Sequence, residues 1–492
     1  MGKKIPMWQC ILVMIVLIAL IFWGVKIDTD AGEANFVLIL AGAFAAVIAV
    51  INGWKWSFLE QGILAAINRT MQAILILGCV GFMLGSWMAG GVIPSMMYFG
   101  IKIIAPSIFL FTACLLCSIV SLATGSSWST AGSMGIALIG VGTALGFPAY
   151  MTAGAVVSGA YFGDKMSPLS DTTNLAPAVA GSNLFEHIKH MVFTTGPSLI
   201  VALIAYLLMG FFGDHAGSAD TQTIDTILGF ITDNYNVSVL CLIPPVFVIV
   251  AVALKLPALP ALLGGVILGL PFFPMQGNSL ASVPSLLNYG TGVDVPEGAD
   301  PVIQELASLL TTGGGDGMMW TIQLIICAMV FGGIVDASGI MASIASALLK
   351  LARGTRGGLV VVTIVSCIVV NALCSDQYLA IILPGRMYKE AFEDRRLKAK
   401  NLSRCLEDSG TITSNFIPWN TCGATMSGFL RCPQWGAGGY APFAILNWFN
   451  PLVSIFYGFT GITMHEMTEE EYQKILEERE AEKAEALKAM EA

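Results

Sequence analysis

Charge is scarce in this sequence. Only 12% of its 492 residues are Asp, Glu, Lys or Arg, while 55% are hydrophobic and the mean hydropathy is +0.76. A soluble chain of this length lacks the polar surface to cover so much apolar side chain, so a water-soluble domain is excluded. Histidine is scarcer still, with four in all. None is expected inside an apolar run, and His-Glu-x-x-His and Gly-x-Ser-x-Gly are both missing, which argues against an intramembrane enzyme. No basic stripe suits nucleic acid. The 11 cysteines lie mostly in apolar segments, where a free thiol behaves as a small hydrophobe, and no metal or other cofactor is expected. The net charge of −9 comes largely from ten acidic residues among the last 27, which read as a tail rather than a binding groove.

What the chain has in abundance is runs of about 20 apolar residues, the length that crosses a hydrocarbon core of ~30 Å. The first, Met7–Val25, follows Lys3 and Lys4 without a small-x-small cleavage site, and reads as a membrane helix rather than a signal peptide. Ten crossings are expected, near 7–25, 34–52, 70–89, 149–178, 191–213, 237–254, 258–273, 318–338, 405–430 and 440–461. Two further apolar stretches, 107–147 and 359–385, are interrupted by Thr124-Gly125-Ser126-Ser127 and by Asn371-Ala372-Leu373-Cys374-Ser375-Asp376. Both read as hairpins that enter and leave on one face, although the second is also open to a reading as one broken crossing.

Charge argues for the hairpin. Segments 214–236 and 274–317 hold nine acidic residues and no Lys or Arg, whereas 386–404 holds seven Lys or Arg. Positive residues favour the cytoplasm. The hairpin reading puts 386–404 on the same side as Lys350, Arg353 and Arg356, and makes both termini cytoplasmic. Each half then has five crossings and one hairpin. Five is odd, so the halves (1–213 and 237–461) have opposite orientation: an all-α, polytopic, inverted-repeat architecture typical of secondary transporters. Beyond 464, Thr468-Glu469-Glu470-Glu471 has capping-box spacing, and 465–492 is expected to be a charged cytoplasmic helix.

Ionisable residues inside a bilayer are costly and are functional candidates by default. The spans contain Asp164, Asp171, Asp336, Asp376, Glu407, Asp408 and one base, Lys165. The densest cluster is Asp164-Lys165-Met166-Ser167-Pro168-Leu169-Ser170-Asp171-Thr172-Thr173-Asn174. Pro168 and Pro177 each remove a backbone donor, so a broken helix over 149–178 is expected. Its freed carbonyls, with Asp171, Thr172, Thr173, Asn174 and Ser126 from the first hairpin tip, form a hard-oxygen set suited to sodium. Asp171, Asp164 and Asp376 are the proton-carrier candidates, because burial disfavours a carboxylate's charged form. Thr124, Ser126 and Ser127 either close this site or serve only as turn chemistry. In the second half, the counterparts are Asn371, Ser375 and Asp376 at the tip, with Thr411, Thr413, Asn420 and Thr421 on the broken helix 405–430. Lys165 is open to three roles: holding a carboxylate, competing with sodium, or forming a structural ion pair. Glu407 and Asp408 are expected near the interface, Asp336 at a helix end, and His187 and His190 in a solvated loop.

The run Ser158-Gly-Ala-Tyr-Phe-Gly-Asp-Lys-Met-Ser-Pro-Leu-Ser-Asp-Thr-Thr-Asn-Leu-Ala-Pro-Ala-Val-Ala-Gly181 resembles the signature of the NhaC family of sodium/proton antiporters. Thr124-Gly-Ser-Ser-Trp-Ser-Thr-Ala-Gly132 and Asn420-Thr421-Cys422-Gly423-Ala424 are similar to the same family. The resemblance implies an ion-transporter-superfamily architecture with two re-entrant hairpins, commonly a homodimer, and sodium and protons as transported ions; the lack of targeting features fits a cell inner membrane. Some members of that family exchange carboxylates, proton–malate against sodium–lactate, so the competing reading is a sodium- or proton-coupled exchanger of organic carboxylates or amino acids.

Overall fold

The computed structural model describes residues 3–27, 33–212, 221–254, 256–295, 298, 300–350, 354–477 and 479. Apart from two isolated bridges, the described residues are helical or irregular. Lipid offers no partner for exposed backbone groups, so a chain this apolar must satisfy its N–H and C=O groups within helices.

α1 (Met7–Ile27) and α2 (Glu33–Ile51) pack together, and α2 lies against α15 (Met319–Ala337). α3 (Trp56–Ala89) has 34 residues, about 51 Å at 1.5 Å per residue. It begins fourteen residues before the expected crossing at 70. α4 (Val92–Ile103) leads to the first hairpin, α5 (Phe109–Thr124) and α6 (Ser127–Ala144). A broken helix follows, α7 (Ala149–Met166) and α8 (Asp171–Ala180), and then the long α9 (Leu184–Phe212). α10 (Thr221–Asn234), α11 (Ile243–Ala253), α12 (Ala258–Gly269), α13 (Val283–Tyr289) and α14 (Pro301–Leu309) connect to α15. After α16 (Ile340–Lys350) come α17 (Arg356–Cys374), α18 (Gln377–Glu393) and α19 (Ala399–Leu406). A π-helical turn over Glu407–Thr411 and a 3₁₀ turn over Ser414–Phe416 precede α20 (Thr421–Leu430), and α21 (Ile445–Thr460) closes the bundle.

Five described helical stretches are each long and apolar enough to span a membrane: Trp56–Ala89, Pro106–Thr124, Leu184–Phe212, Asp316–Ala337 and Arg356–Cys374. The chain is a multi-pass membrane protein. Both interrupted stretches turn back at their polar centres. Ser366 and Tyr388 share a hydrogen bond across α17 and α18, so the two helices pack side by side. The expected crossings at 237–254 and 258–273 differ more. α11 has 11 residues and α12 has 12, about 17 and 18 Å. Ser86 Oγ donates to the Val266 carbonyl at 2.8 Å and Trp87 Nε1 to that of Gly265 at 3.0 Å, so α12 runs parallel to the second half of α3. The turn at Leu256-Pro257 therefore sits beside the middle of α3, sharing a cavity with Arg69 and Ile76.

The most extensive helix pairing is α5 against α7. Gly159 and Gly163, one helical turn apart, make it possible. A β-carbon at Gly159 would stand 2.2 Å from the Cys114 carbonyl oxygen, and one at Gly163 2.2 Å from the Leu122 nitrogen. This is the small-xxx-small packing of membrane helices, where close backbone approach replaces the hydrophobic effect as the driving force. Cys114 and Cys117 have Cys-x-x-Cys spacing, and both are buried on α5. Among the described residues no three His, Cys, Asp or Glu come together to hold a metal.

Past α21 the chain folds back on the loop between α18 and α19. Met467 N donates to the Arg396 carbonyl at 2.7 Å and Lys398 N to that of His465 at 3.0 Å. Residues 469–477 are helical and begin with the expected capping box. Thr468 N donates to Glu471 Oε2 at 2.8 Å, and Glu471 N to Thr468 Oγ1 at 3.3 Å. Residues 480–492 of the expected tail helix lie outside the described residues.

Candidate functional site

The chain breaks at four places: 125–126, 167–170, 375–376 and 417–420. The first N–H groups of any helix lack intrahelical partners, and leaving them bare in an apolar interior is costly. A polar side chain caps each restart. Ser126 Oγ accepts from Ser129 N at 3.2 Å, and Ser170 Oγ from Thr173 N at 3.5 Å. Asp376 Oδ1 accepts from Tyr378 N at 2.7 Å and Leu379 N at 3.1 Å, and Asn420 Oδ1 from Cys422 N at 3.0 Å. The tips are built alike. Gly125 (φ 69°) and Ser375 (φ 57°) take the left-handed conformation that ends one arm, and the next residue caps the other.

These restarts converge on a cavity of ≈ 330 Å³. One wall carries Thr124, Ser126, Asp164, Ser170, Asp171 and Thr172 from the first half. Asp376, Gln377, Tyr378 and Thr421 from the second half line the same cavity. α3 also lines the cavity, through Arg69, Thr70, Gln72, Ala73 and Ile76, as does the Leu256-Pro257 turn. Asp164 is 7% exposed; its Oδ2 accepts from Ser127 Oγ and its Oδ1 from Ser170 Oγ, both at 2.6 Å. Asp376 is 1% exposed, and its Oδ2 has no hydrogen-bond partner among the described residues. Asp171 lies exposed in the first turn of α8.

Several expected ligands are employed elsewhere. Thr173 Oγ1 donates to the carbonyls of Asp164 and Lys165, at 3.1 and 2.9 Å. Asn174 Nδ2 donates to those of Pro168 and Ser170, at 2.9 and 2.7 Å. These two residues tie the broken helix together, and neither lines the cavity. Asn371 Nδ2 donates to the Gly410 carbonyl at 2.8 Å, Asn420 Nδ2 donates to Asn371 Oδ1 at 3.1 Å, and Thr413 Oγ1 donates to the Ser409 carbonyl at 2.7 Å. Thr411 and Ser375 are fully buried beside this lattice, away from the cavity lining.

Lys165 is also turned away from the cavity. It is 0% exposed, its Nζ bonds Asp408 Oδ1, and it donates to Asn450 Oδ1 at 2.7 Å. Asp408 also accepts from Thr194 Oγ1 at 2.9 Å, and Arg404 Nε stands 3.8 Å from its other oxygen. Asp408 and Glu407 are both buried within the protein, at 0% exposure. His187 and His190 are likewise buried within α9, not in a solvated loop: His187 Nδ1 lies 2.8 Å from Ser403 Oγ and His190 Nδ1 3.0 Å from the Lys400 carbonyl. Asp336 pairs with Arg69 at 3.5 Å. Sequence reasoning missed Arg69 because the hydropathy of α3 rises only after it. The exposed apolar residues Trp56, Phe58 and Leu64 upstream were the available signal that the helix starts earlier.

The chain matches the Na+/H+ antiporter family over residues 159–462. It is 34% identical over 468 residues to the Na+/H+ antiporter NhaC of Alkalihalophilus pseudofirmus, covering 94% of this chain and 97% of that one. It is 37% identical over 443 residues to the arginine/ornithine antiporter ArcD of Halobacterium salinarum, covering 89% of each. It is 32% identical over 458 residues to a malate-2H+/Na+-lactate antiporter of Bacillus subtilis, covering 92% of this chain and 95% of that one.

Proposed function

This chain belongs to the Na+/H+ antiporter family, and from that premise we propose that it exchanges sodium for protons at the cavity between its two hairpin tips. One observation carries the reading: three carboxylates, Asp164, Asp171 and Asp376, share a cavity bordered by the capped starts of four half-helices. Sodium needs several oxygen ligands with at least one anionic, and Asp164 with Ser127, Ser170 and Thr172 supplies such a set. The Ser127 and Ser170 hydroxyls donate to the two oxygens of the Asp164 carboxylate. Sodium and a proton compete for that carboxylate, and either one neutralises it.

Neutralisation is what lets the site pass between the two faces. An isolated carboxylate costs roughly tens of kcal/mol to carry into a medium of low dielectric constant. A loaded site crosses and an empty one does not, which makes the flux an exchange. The charge asymmetry of the loops supports two inverted repeats, 1–213 and 237–461, with both termini in the cytoplasm and the protein in a cell inner membrane. In both halves the first arm of the hairpin packs against the first part of the broken helix, α5 on α7 and α17 on α19, which supports the repeat. A homodimer is what the family resemblance implies.

The test is proton flux in proteoliposomes with an imposed pH gradient. Sodium alone should collapse the gradient, and potassium should not. Asp164→Asn and Asp376→Asn should each abolish the response while the protein elutes and melts as a folded species. Retained exchange in Asp164→Asn would sink the assignment. Asp171→Asn tests the more exposed carboxyl and should impair flux less.

A second reading has its own support. A cavity of ≈ 330 Å³ is far larger than one ion needs, and the N-terminal residues of α6, α8, α18 and α20 border it. Helix N-termini favour anionic groups. The arginine/ornithine and malate/lactate antiporters among its relatives exchange molecules of that size. A sodium response that appears only with malate, lactate or a basic amino acid would establish this reading.

A further inference from the structure

We propose that Arg69 is the coupling residue of the exchange cycle, a counter-charge on the frame that holds the empty site and releases it once loaded. The inference rests on the cavity being the exchange site.

The two walls of the cavity differ in charge. All three carboxylates stand on the hairpin and broken-helix wall, and on the α3 wall Arg69 is the sole charged residue among those lining the cavity. Its backbone is held firmly. α3 packs along α15 so closely that a β-carbon on Gly62 would stand 2.8 Å from the Gly333 carbonyl oxygen. Its side chain is held loosely. The bond to Asp336 Oδ2 is long, at 3.5 Å, with the two side chains 34% and 29% exposed. A guanidinium has five N–H donors, so a single contact leaves most of them available.

Across the cavity, Asp376 offers the complement. It is almost fully buried, its Oδ1 is committed to capping α18, and its Oδ2 has no partner among the described residues. Arg69 and Asp376 line the same cavity. A flexible cation on one wall and an unpartnered buried carboxylate oxygen on the other give the cleft two states. With no ion bound, Arg69 is drawn to the carboxylates and bridges the walls. With sodium or a proton bound, the attraction is cancelled and Arg69 returns to Asp336. The bridge makes the empty site the immobile one, so sodium cannot run downhill without a counter-ion. Asp336 is then the resting partner that keeps Arg69 from binding the carboxylates permanently.

The experiment reads two fluxes from the same proteoliposomes, with membrane voltage clamped. Exchange is radiolabelled sodium efflux against external sodium or an imposed proton gradient. Leak is sodium efflux into sodium-free medium that is not accompanied by proton uptake, read from a pH dye inside the vesicles. The wild type should show fast exchange and slow leak. Arg69→Gln should lower the exchange-to-leak ratio about tenfold, the size of effect a single partly desolvated charge interaction gives. Arg69→Lys, which keeps the charge, should restore most of the ratio, an outcome a merely structural arginine would not produce. A folded Arg69→Gln protein with the wild-type ratio overturns the inference, as does one that loses exchange and leak together. A wild type without sodium/proton exchange overturns the functional reading and this inference with it; a wild type that exchanges while the variant stays coupled overturns the inference alone.

Discussion

Gly125 and Ser375 both turn the chain in the left-handed region, and substitution at the two should act in opposite directions. At Gly125 a β-carbon would lie 2.8 Å from the carbonyl carbon of Leu169 and 2.9 Å from Ser170 N, both backbone atoms. Gly125→Ala adds a left-handed strain of roughly 1–2 kcal/mol to that overlap. We expect it to pry the first tip away from the break that holds Ser170 and Asp164, lowering the melting temperature and abolishing flux. Ser375 already carries left-handed strain as a non-glycine residue, at φ 57°. Ser375→Gly relieves it, and the expected result is a melting temperature at or above wild type with flux preserved. If both variants lose stability alike in thermal unfolding, the tips are not equivalent.

Two elements depend on contacts their own sequences do not announce. The α5–α7 seam closes over Gly159 and Gly163, so Gly163→Leu should separate the helices and lower stability by about 1–3 kcal/mol, the usual cost of overpacking, measured by thermal unfolding in detergent. The C-terminal segment depends on charge. Arg396 meets Glu469 at 2.6 Å, Lys398 meets Glu471 at 2.8 Å and Arg356 meets Glu466 at 3.3 Å. The carboxyl of Glu469 is held below the usual range by Gln473 and then Arg396, and that of Glu471 by Lys398 and then Thr468. A carboxyl depressed in the docked state favours docking at any pH above its ordinary value and loses that contribution as the pH falls through its depressed value. Docking should therefore hold at neutral pH and weaken in acid. These pairs are exposed, so salt should weaken them too. Hydrogen exchange over 469–477 should rise at low pH and at high ionic strength. Unchanged protection under both conditions would mean that the backbone pairing of Met467 with Arg396 suffices.

Across the whole molecule, Lys165 and Asp408 join the first half of the chain to the second through a pair that is 0% exposed on both sides. Breaking such a pair strands a buried charge, at a cost of about 3–5 kcal/mol, whereas replacing both partners is far milder. Lys165→Met should destabilise the protein in thermal unfolding, and adding Asp408→Leu should restore only part of the loss, because it leaves buried Arg404 without that carboxylate. Arg404, 3.8 Å from the other Asp408 oxygen, moderates the single variant. An equal loss in the double variant would show that the two side chains act separately. The pair also shows where the sequence stopped being legible. Apolar run lengths determined a multi-pass helical protein, and the polar interruptions at 124–127 and 371–376 located two of the helix breaks, because those features follow from the local cost of putting polar groups into lipid. The broken helix at Pro168 and the capping box at Thr468 were legible for the same reason, since backbone donors are satisfied within a few residues. Which polar group meets which was not. Thr173 and Asn174 look like ligands in sequence and serve as ties, Lys165 reaches a carboxylate 243 residues away, and Arg69 enters the cavity from a helix whose polar start disguised its depth. The tertiary structure alone decided these pairings, because a buried charge takes its partner from whatever the packing brings near, and chain separation places no limit on that choice.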